Sequence, residues 1–103
     1  MDFEFDELKR EFLVEATSKV DEIAALLEKG IEDSSRERAF YLAHQLKGAG
    51  GSYGFSVIST EAAALEKDLE KTPPDAEAIQ KRVAHLSEVI RERQQEIGLP
   101  SSA

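Results

Sequence analysis

His44 and Lys47 stand three residues apart, Gly48 follows the lysine directly, and Gly51 comes three residues later. At helical spacing these four share one strip of surface. A neutral imidazole is nucleophilic at one ring nitrogen while the other keeps its proton, and free histidine titrates near about 6.5. His44 therefore has the chemistry to accept a phosphoryl group at neutral pH without a separate general base. Lys47 sets a cation where the charge on three phosphoryl oxygens must be offset. Gly48 has no Cβ, so another protein's active site can come close to the histidine. A mid-helix glycine costs about 0.5–1 kcal/mol relative to alanine, and that cost beside a histidine points to a need for access. Gly51 extends the bare patch. Phe40 and Tyr41 lie one turn before His44 and are candidate docking residues. Each feature alone has a plainer reading: a solvated histidine, a surface lysine, a glycine-rich helix end, aromatics tucked under neighbouring helices. The chemical reading rests on their coincidence.

The elements that must hold this strip are helices. Phe5, Leu8, Phe12, Ala16, Val20, Ile23 and Leu27 step by three or four residues and form one stripe over about six turns. Asp6 reads as its N-cap and Gly30 as its C′ residue. A second helix follows Asp33, with Ser34 and Glu37 spaced as a capping box. Its stripe is Ala39, Leu42, Ala43, Leu46, Ala49 and Gly50, then Tyr53, and its glycines predict a stop near 52–54. His44, Lys47, Gly48 and Gly51 fall opposite that stripe. Ser56 reads as the cap of a third helix with Ile58, Ala62, Leu65 and Leu69 on one face. Thr72-Pro73-Pro74-Asp75 breaks the chain and opens a fourth helix, with proline at its first position. There Ala76, Ile79, Val83, Leu86, Ile90 and Ile97 line one side, and Gly98 and Pro100 end it. No segment sustains period-two alternation. The fold predicted is all-α: an antiparallel up-down four-helix bundle with an exposed histidine on the second helix. A single domain is expected over 1–103, with the bundle over about 5–98 and 99–103 as a frayed tail.

Composition narrows the functions open to such a bundle. The chain has 103 residues, 41% hydrophobic and 33% charged, which reads as globular. It has no cysteine, so disulfides and thiolate zinc sites are excluded. A formal net charge of −8 makes nucleic acid and anionic membrane poor partners. The start, MDFEFDELKR, is acidic and without an apolar run, and no stretch approaches the roughly 18–20 apolar residues of a membrane span. A cytoplasmic location is expected. His85, the other histidine, reads as plain surface. A metal site built from His44, Glu66 and His85 lacks a convincing further ligand.

His44-Gln45-Leu46-Lys47-Gly48-Ala49-Gly50-Gly51-Ser52-Tyr53-Gly54 resembles the signature of histidine-containing phosphotransfer (HPt) domains. That pattern runs histidine, any residue, aliphatic, lysine, glycine, small residues, then an apolar residue and glycine. Ala43-His44 and Gly54-Phe55-Ser56 extend the likeness toward the phosphotransfer domain of chemotaxis-type kinases. The resemblance implies a four-helix bundle that passes a phosphoryl group between His44 and an aspartate of a response-regulator receiver domain. It implies that Lys47 supports the phosphoryl group and that Gly48 leaves room for the receiver. Glu66 matches a glutamate that hydrogen-bonds the histidine ring in chemotaxis-type relatives. Spacing alone puts it at the edge of an apolar stripe, where a surface role is equally open. One departure is Ala63, where such relatives often carry a second histidine.

The expected partners are receiver domains and a sensor histidine kinase, with no nucleic acid and no membrane. The chain has no glycine-rich phosphate loop between strand and helix, so self-phosphorylation from ATP is not expected, and the resemblance implies a carrier, not an enzyme. No cofactor is expected, any magnesium being supplied by the partner receiver. A monomer is the default for a bundle that closes its own core. Two alternatives stand beside this reading: a helical adaptor without phosphoryl chemistry, and the substrate module of a larger histidine kinase. The initiating methionine and the end after Gly98 favour a free-standing protein over the second.

Overall fold

The computed structural model describes residues 3–98. Four helices make up the architecture: α1 (Phe3–Glu28), α2 (Asp33–Ser52), α3 (Ser56–Glu70) and α4 (Ala76–Glu96). Each helix packs against its two chain neighbours, and α4 closes the ring on α1. Short connections between cyclically adjacent helices give the up-down antiparallel bundle that the stripes predict. Leu13, Ile23, Leu42, Leu46, Ile58, Leu65, Leu69, Ile79, Leu86 and Ile90 form its fully buried centre. Among the described residues, no helix is long and apolar enough to cross a membrane.

The stripe on α1 differs from the expectation at one turn. Leu8 is exposed, and Leu13 is completely buried in its place. The buried residues of α1 occupy an arc whose centre lies about 90° from Leu8 but about 50° from Leu13 at 100° per residue. Leu8 thus lies on the flank, and Leu13, adjacent to Phe12, faces the core. On α4, Val89 and Gln94 join the buried face. Gln94 is satisfied there by donating to Thr17 Oγ1 at 2.9 Å across the α1–α4 seam.

The helix starts also depart from the predicted caps. Asp6 lies inside the first turn of α1, where its charge faces the positive helix end without capping it. Glu32, in extended conformation, occupies the N-cap of α2 and makes no side-chain cap bond. The amide of Arg36 is taken by the Glu32 carbonyl at 2.8 Å, so the helix has begun before Ser34 and the Ser34–Glu37 capping box does not form. Phe55, not Ser56, is at the N-cap position of α3. On α4, Asp75 caps by accepting from the Ala78 amide at 3.1 Å, and Pro74 stands just outside the helix. The frayed tail expected over 99–103 lies outside the described residues.

The α2–α3 corner positions the histidine helix. Gly54 has φ +83°, a left-handed conformation in which side chains are strained. Its amide donates to Gly51 O at 3.2 Å, and the Phe55 amide donates to Gly50 O at 2.8 Å. This pair of bonds is the Schellman pattern, and it consumes the carbonyls left open at the end of α2. Phe55 then stacks on Phe12 with ring centroids 5.6 Å apart, and Tyr53 packs on Phe12 at 5.5 Å. Because Phe55 is committed to closing α2, α3 starts at the very next residue.

The glycines of this segment have separate duties. A Cβ on Gly50 would meet Ser59 N at 3.2 Å and Phe55 O at 3.4 Å, both backbone atoms. Gly50 therefore permits the close approach of α3 to α2. A Cβ on Gly48 would meet nothing within 4 Å. Gly48→Ala is expected to stabilise the fold by about 0.5–1 kcal/mol through helix propensity. Gly50→Ala is expected to destabilise it by about 1–2 kcal/mol, because backbone must shift to admit the methyl. Urea unfolding of the two variants checks this opposite pair of signs.

Candidate functional site

His44 projects from the middle of α2 with its side chain 64% exposed. The core stripe one step away, Ala43 and Leu46, faces inward and fixes this outward direction. Glu66 stands across the α2–α3 seam, beside the buried Leu65, and its side chain is only 9% exposed. The surface reading of Glu66 is thereby corrected: the seam closes over its stem and turns its carboxylate toward α2. Glu66 Oε2 lies 3.3 Å from His44 Nδ1. Glu66 Oε1 lies 3.5 Å from Lys47 Nζ. That second separation is within ion-pair range but does not meet hydrogen-bond geometry, and Oε1 is buried with no hydrogen bond. One nearly buried carboxylate thus faces two cationic or proton-bearing groups, one held by a hydrogen bond and the other by charge alone.

Phe40 is half-buried against the core, and its ring lies 6.4 Å from the His44 ring, nearly parallel at 9°. With Phe40 along one face and Glu66 at Nδ1, the imidazole has one edge left to solvent, the edge that carries Nε2. Among the described residues, no hydrogen bond or ion pair involves that nitrogen. Lys47 is half-exposed, and its carbonyl accepts from Ser59 Oγ at 2.8 Å, a second tie from α3 to the backbone beside the histidine. Gly48 is open on its outer face, and Gly51 would bring a Cβ to within 3.8 Å of Ser59 Oγ, an ordinary contact. The access strip is therefore widest at Gly48 and narrows toward α3 at Gly51.

Tyr41 is half-exposed on the neighbouring face, its hydroxyl accepting from Gln45 Nε2 at 2.9 Å. Arg38 lies over the Tyr41 ring at 5.5 Å and bonds Glu22 of α1 at 2.8 Å. That bond holds the Glu22 carboxyl below its ordinary range and the Arg38 guanidinium above its own. Ala63, at the position of the departure from chemotaxis-type relatives, is half-buried.

A second polar cluster, not anticipated from the sequence, joins α3 to α4. Arg82 Nε donates to Asp68 Oδ2 at 3.1 Å and Arg82 Nη1 to Glu61 Oε2 at 3.5 Å. The Asp68 bond is the main reason the Arg82 guanidinium is held above its ordinary range, against the opposing effect of burial. His85 Nδ1 lies 3.0 Å from Glu61 Oε2. The sequence signal, two acids seven apart on α3 and two bases three apart on α4, acquires meaning only once α3 and α4 are neighbours. Because His85 pairs with Glu61 and not Glu66, the two histidines do not converge. Among the described residues, no group of three or more His, Cys, Asp or Glu side chains is arranged to hold a metal ion.

The family model of the Hpt domain matches residues 7–95, most of the chain and all of the site just described. The chain belongs to the Hpt domain family. Hpt domains serve histidine phosphotransfer in two-component signalling, where they meet kinases and receiver domains. They are phosphocarrier modules in place of catalysts. No curated protein and no solved structure matches the chain.

In this Hpt domain, a carboxylate oxygen 3.3 Å from Nδ1 is an acceptor for a proton on that nitrogen, so Glu66 is expected to favour the Nδ1–H tautomer of His44. Glu66→Leu keeps the volume and removes the acceptor. It is expected to leave stability unchanged within about 1 kcal/mol or to raise it, since a buried charge is replaced by an apolar group. The same change is expected to abolish the Nδ1–H preference of the neutral His44 ring in ¹⁵N NMR. Retention of that preference would show that Glu66 does not set the tautomer.

Proposed function

We propose that this Hpt domain relays a phosphoryl group between His44 and aspartates of response-regulator receiver domains, with a sensor histidine kinase as the upstream source. The observation that carries the proposal is an exposed imidazole whose Nδ1 faces a nearly buried carboxylate at 3.3 Å. In the forward step the Nε2 lone pair attacks phosphorus in line with the receiver's acyl phosphate. The P–N bond forms as the P–O bond breaks, and the aspartate departs as a carboxylate. The ring keeps its Nδ1 proton and becomes cationic, so the Glu66 carboxylate attracts it more strongly after transfer than before. Glu66 is in this reading a positioning residue that acts through the ring.

Lys47 serves the other charge. Its ammonium is near Glu66 Oε1 without a hydrogen bond, so turning toward phosphoryl oxygens costs little and gains a charge-assisted contact. Gly48 gives the receiver space beside the histidine, and Phe40, Tyr41 and Gly51 border the docking surface. Magnesium belongs to the receiver's own site, and with it most of the stabilisation of the transferring group. The domain thus works as a carrier and not as an enzyme, and as a monomer.

His44→Gln is expected to abolish transfer from a panel of phosphorylated receivers, followed by the loss of receiver label. Transfer at the wild-type rate would reject the relay and favour an adaptor without phosphoryl chemistry. Gly48→Gln is expected to retain helicity by circular dichroism and to slow transfer by tenfold or more, about 1.4 kcal/mol of barrier. Lys47→Ala is expected to slow transfer by a similar factor or to shorten the phosphohistidine lifetime; with neither change, Lys47 is a surface residue alone.

A further inference from the structure

We infer that His85 is a second phosphoryl acceptor, served by small phosphoryl donors and not by a protein partner. The Glu61 side chain is 15% exposed and lies between Arg82 Nη1 at 3.5 Å and His85 Nδ1 at 3.0 Å. Arg82 is itself anchored by Asp68, whose side chain is 10% exposed. The carboxylate facing His85 is therefore fixed from behind by an ion-pair network that spans the α3–α4 seam. The histidine it faces is open: the His85 side chain is 53% exposed. Among the described residues, no hydrogen bond or ion pair involves its Nε2.

The electronic arrangement is the one argued for His44, reached from a different seam and with different residues. A carboxylate at Nδ1 keeps the proton there and leaves the lone pair on Nε2. Phosphorylation at Nε2 then makes the ring cationic, and the fixed carboxylate stabilises that product more than the neutral ring. The surroundings differ in a way that selects the donor. A recess of about 280 Å³ beside the ring is lined by Ala78, Lys81, Arg82 and His85. Two of its four residues are cations: Arg82, engaged by Asp68 and Glu61, and Lys81. Ala78 supplies room, and Lys81, paired loosely with Glu77 at 3.3 Å on the exposed surface, supplies a mobile cation. No glycine clears the helix around His85. The recess thus has room for a small phosphoryl donor, without the bare backbone that Gly48 offers a receiver domain beside His44.

Phosphoramidate is the probe. The His85 Nε2 lone pair attacks phosphorus, the P–N bond of the donor breaks, and ammonia leaves. The ring retains its Nδ1 proton, so the product is an imidazolium carrying a phosphoryl dianion and no further reactant is needed. In the His44→Gln protein, intact mass and peptide mapping at neutral pH are expected to find one phosphoryl group, on His85. His44→Gln/His85→Gln is expected to take up none. Labelling of His85 should run about fivefold faster than that of N-acetylhistidine in the same tube, the size of one typical net hydrogen bond, and Glu61→Gln in the His44→Gln background, which keeps an acceptor but removes its charge, should reduce that advantage. Absence of label on His85 in the His44→Gln protein, or labelling no faster than N-acetylhistidine, overturns the inference without reference to any Glu61 variant. His85→Gln alone is expected to leave receiver-dependent transfer to His44 unchanged, so failure here is distinguishable from failure of the relay.

Discussion

A carboxylate at the α2–α3 seam is the constraint on which the site depends. Burying Glu66 is costly unless charge and hydrogen bonding offset the lost hydration. The structure offers it two groups, the Nδ1 edge of His44 and the ammonium of Lys47, and both lie on the outer face of the neighbouring helix. The same contact that satisfies the acid therefore orients the imidazole and keeps a cation beside it. The arrangement is under-satisfied by one bond, because Oε1 is buried with no hydrogen bond. An acid that hydrogen-bonds an imidazole and holds a lysine by charge alone suits the proposed role of the ring, which would become charged, hold a phosphoryl group and release it.

The packing around the seam serves that contact. Gly50 allows α3 to lie close enough for Glu66 to reach across, and the left-handed Gly54 turns the chain back within three residues. Ser59 adds a bond to the Lys47 carbonyl. Aromatic packing of Phe55 and Tyr53 on Phe12 anchors the corner to α1. The histidine thus stands on an element whose position is set by its contacts with α1 and α3. Positioning of this kind lowers the ordering cost of a transient encounter.

Much of this was legible in the sequence, and the reasons differ by feature. Four helices follow from apolar spacing because a helix must bury one face whatever its partners. His44, Lys47 and Gly48 fall together because they lie on one helix, where three- and four-residue spacing fixes proximity. Glu66 was open between two roles because its position depends on how α3 is rotated against α2, which no local pattern determines. The α3–α4 cluster of Glu61, Asp68, Arg82 and His85 was hidden for the same reason. The caps went astray at Ser34 and Ser56, where backbone bonds of the preceding turn had already set the helix start. Gly50 reads as one more helix-weakening residue in sequence; only the distance to the Ser59 amide shows that it permits contact.

The proposed relay turns on which atom of His44 carries the phosphoryl group and what the opposite nitrogen is doing meanwhile. ³¹P–¹⁵N NMR of the ¹⁵N-histidine-labelled protein, charged by a phosphorylated receiver, reads both at once. The proposed relay predicts coupling of phosphorus to Nε2 of His44, with a proton retained on Nδ1. Phosphorus bonded to Nδ1, or receiver-derived phosphorus on any residue other than His44, would contradict it.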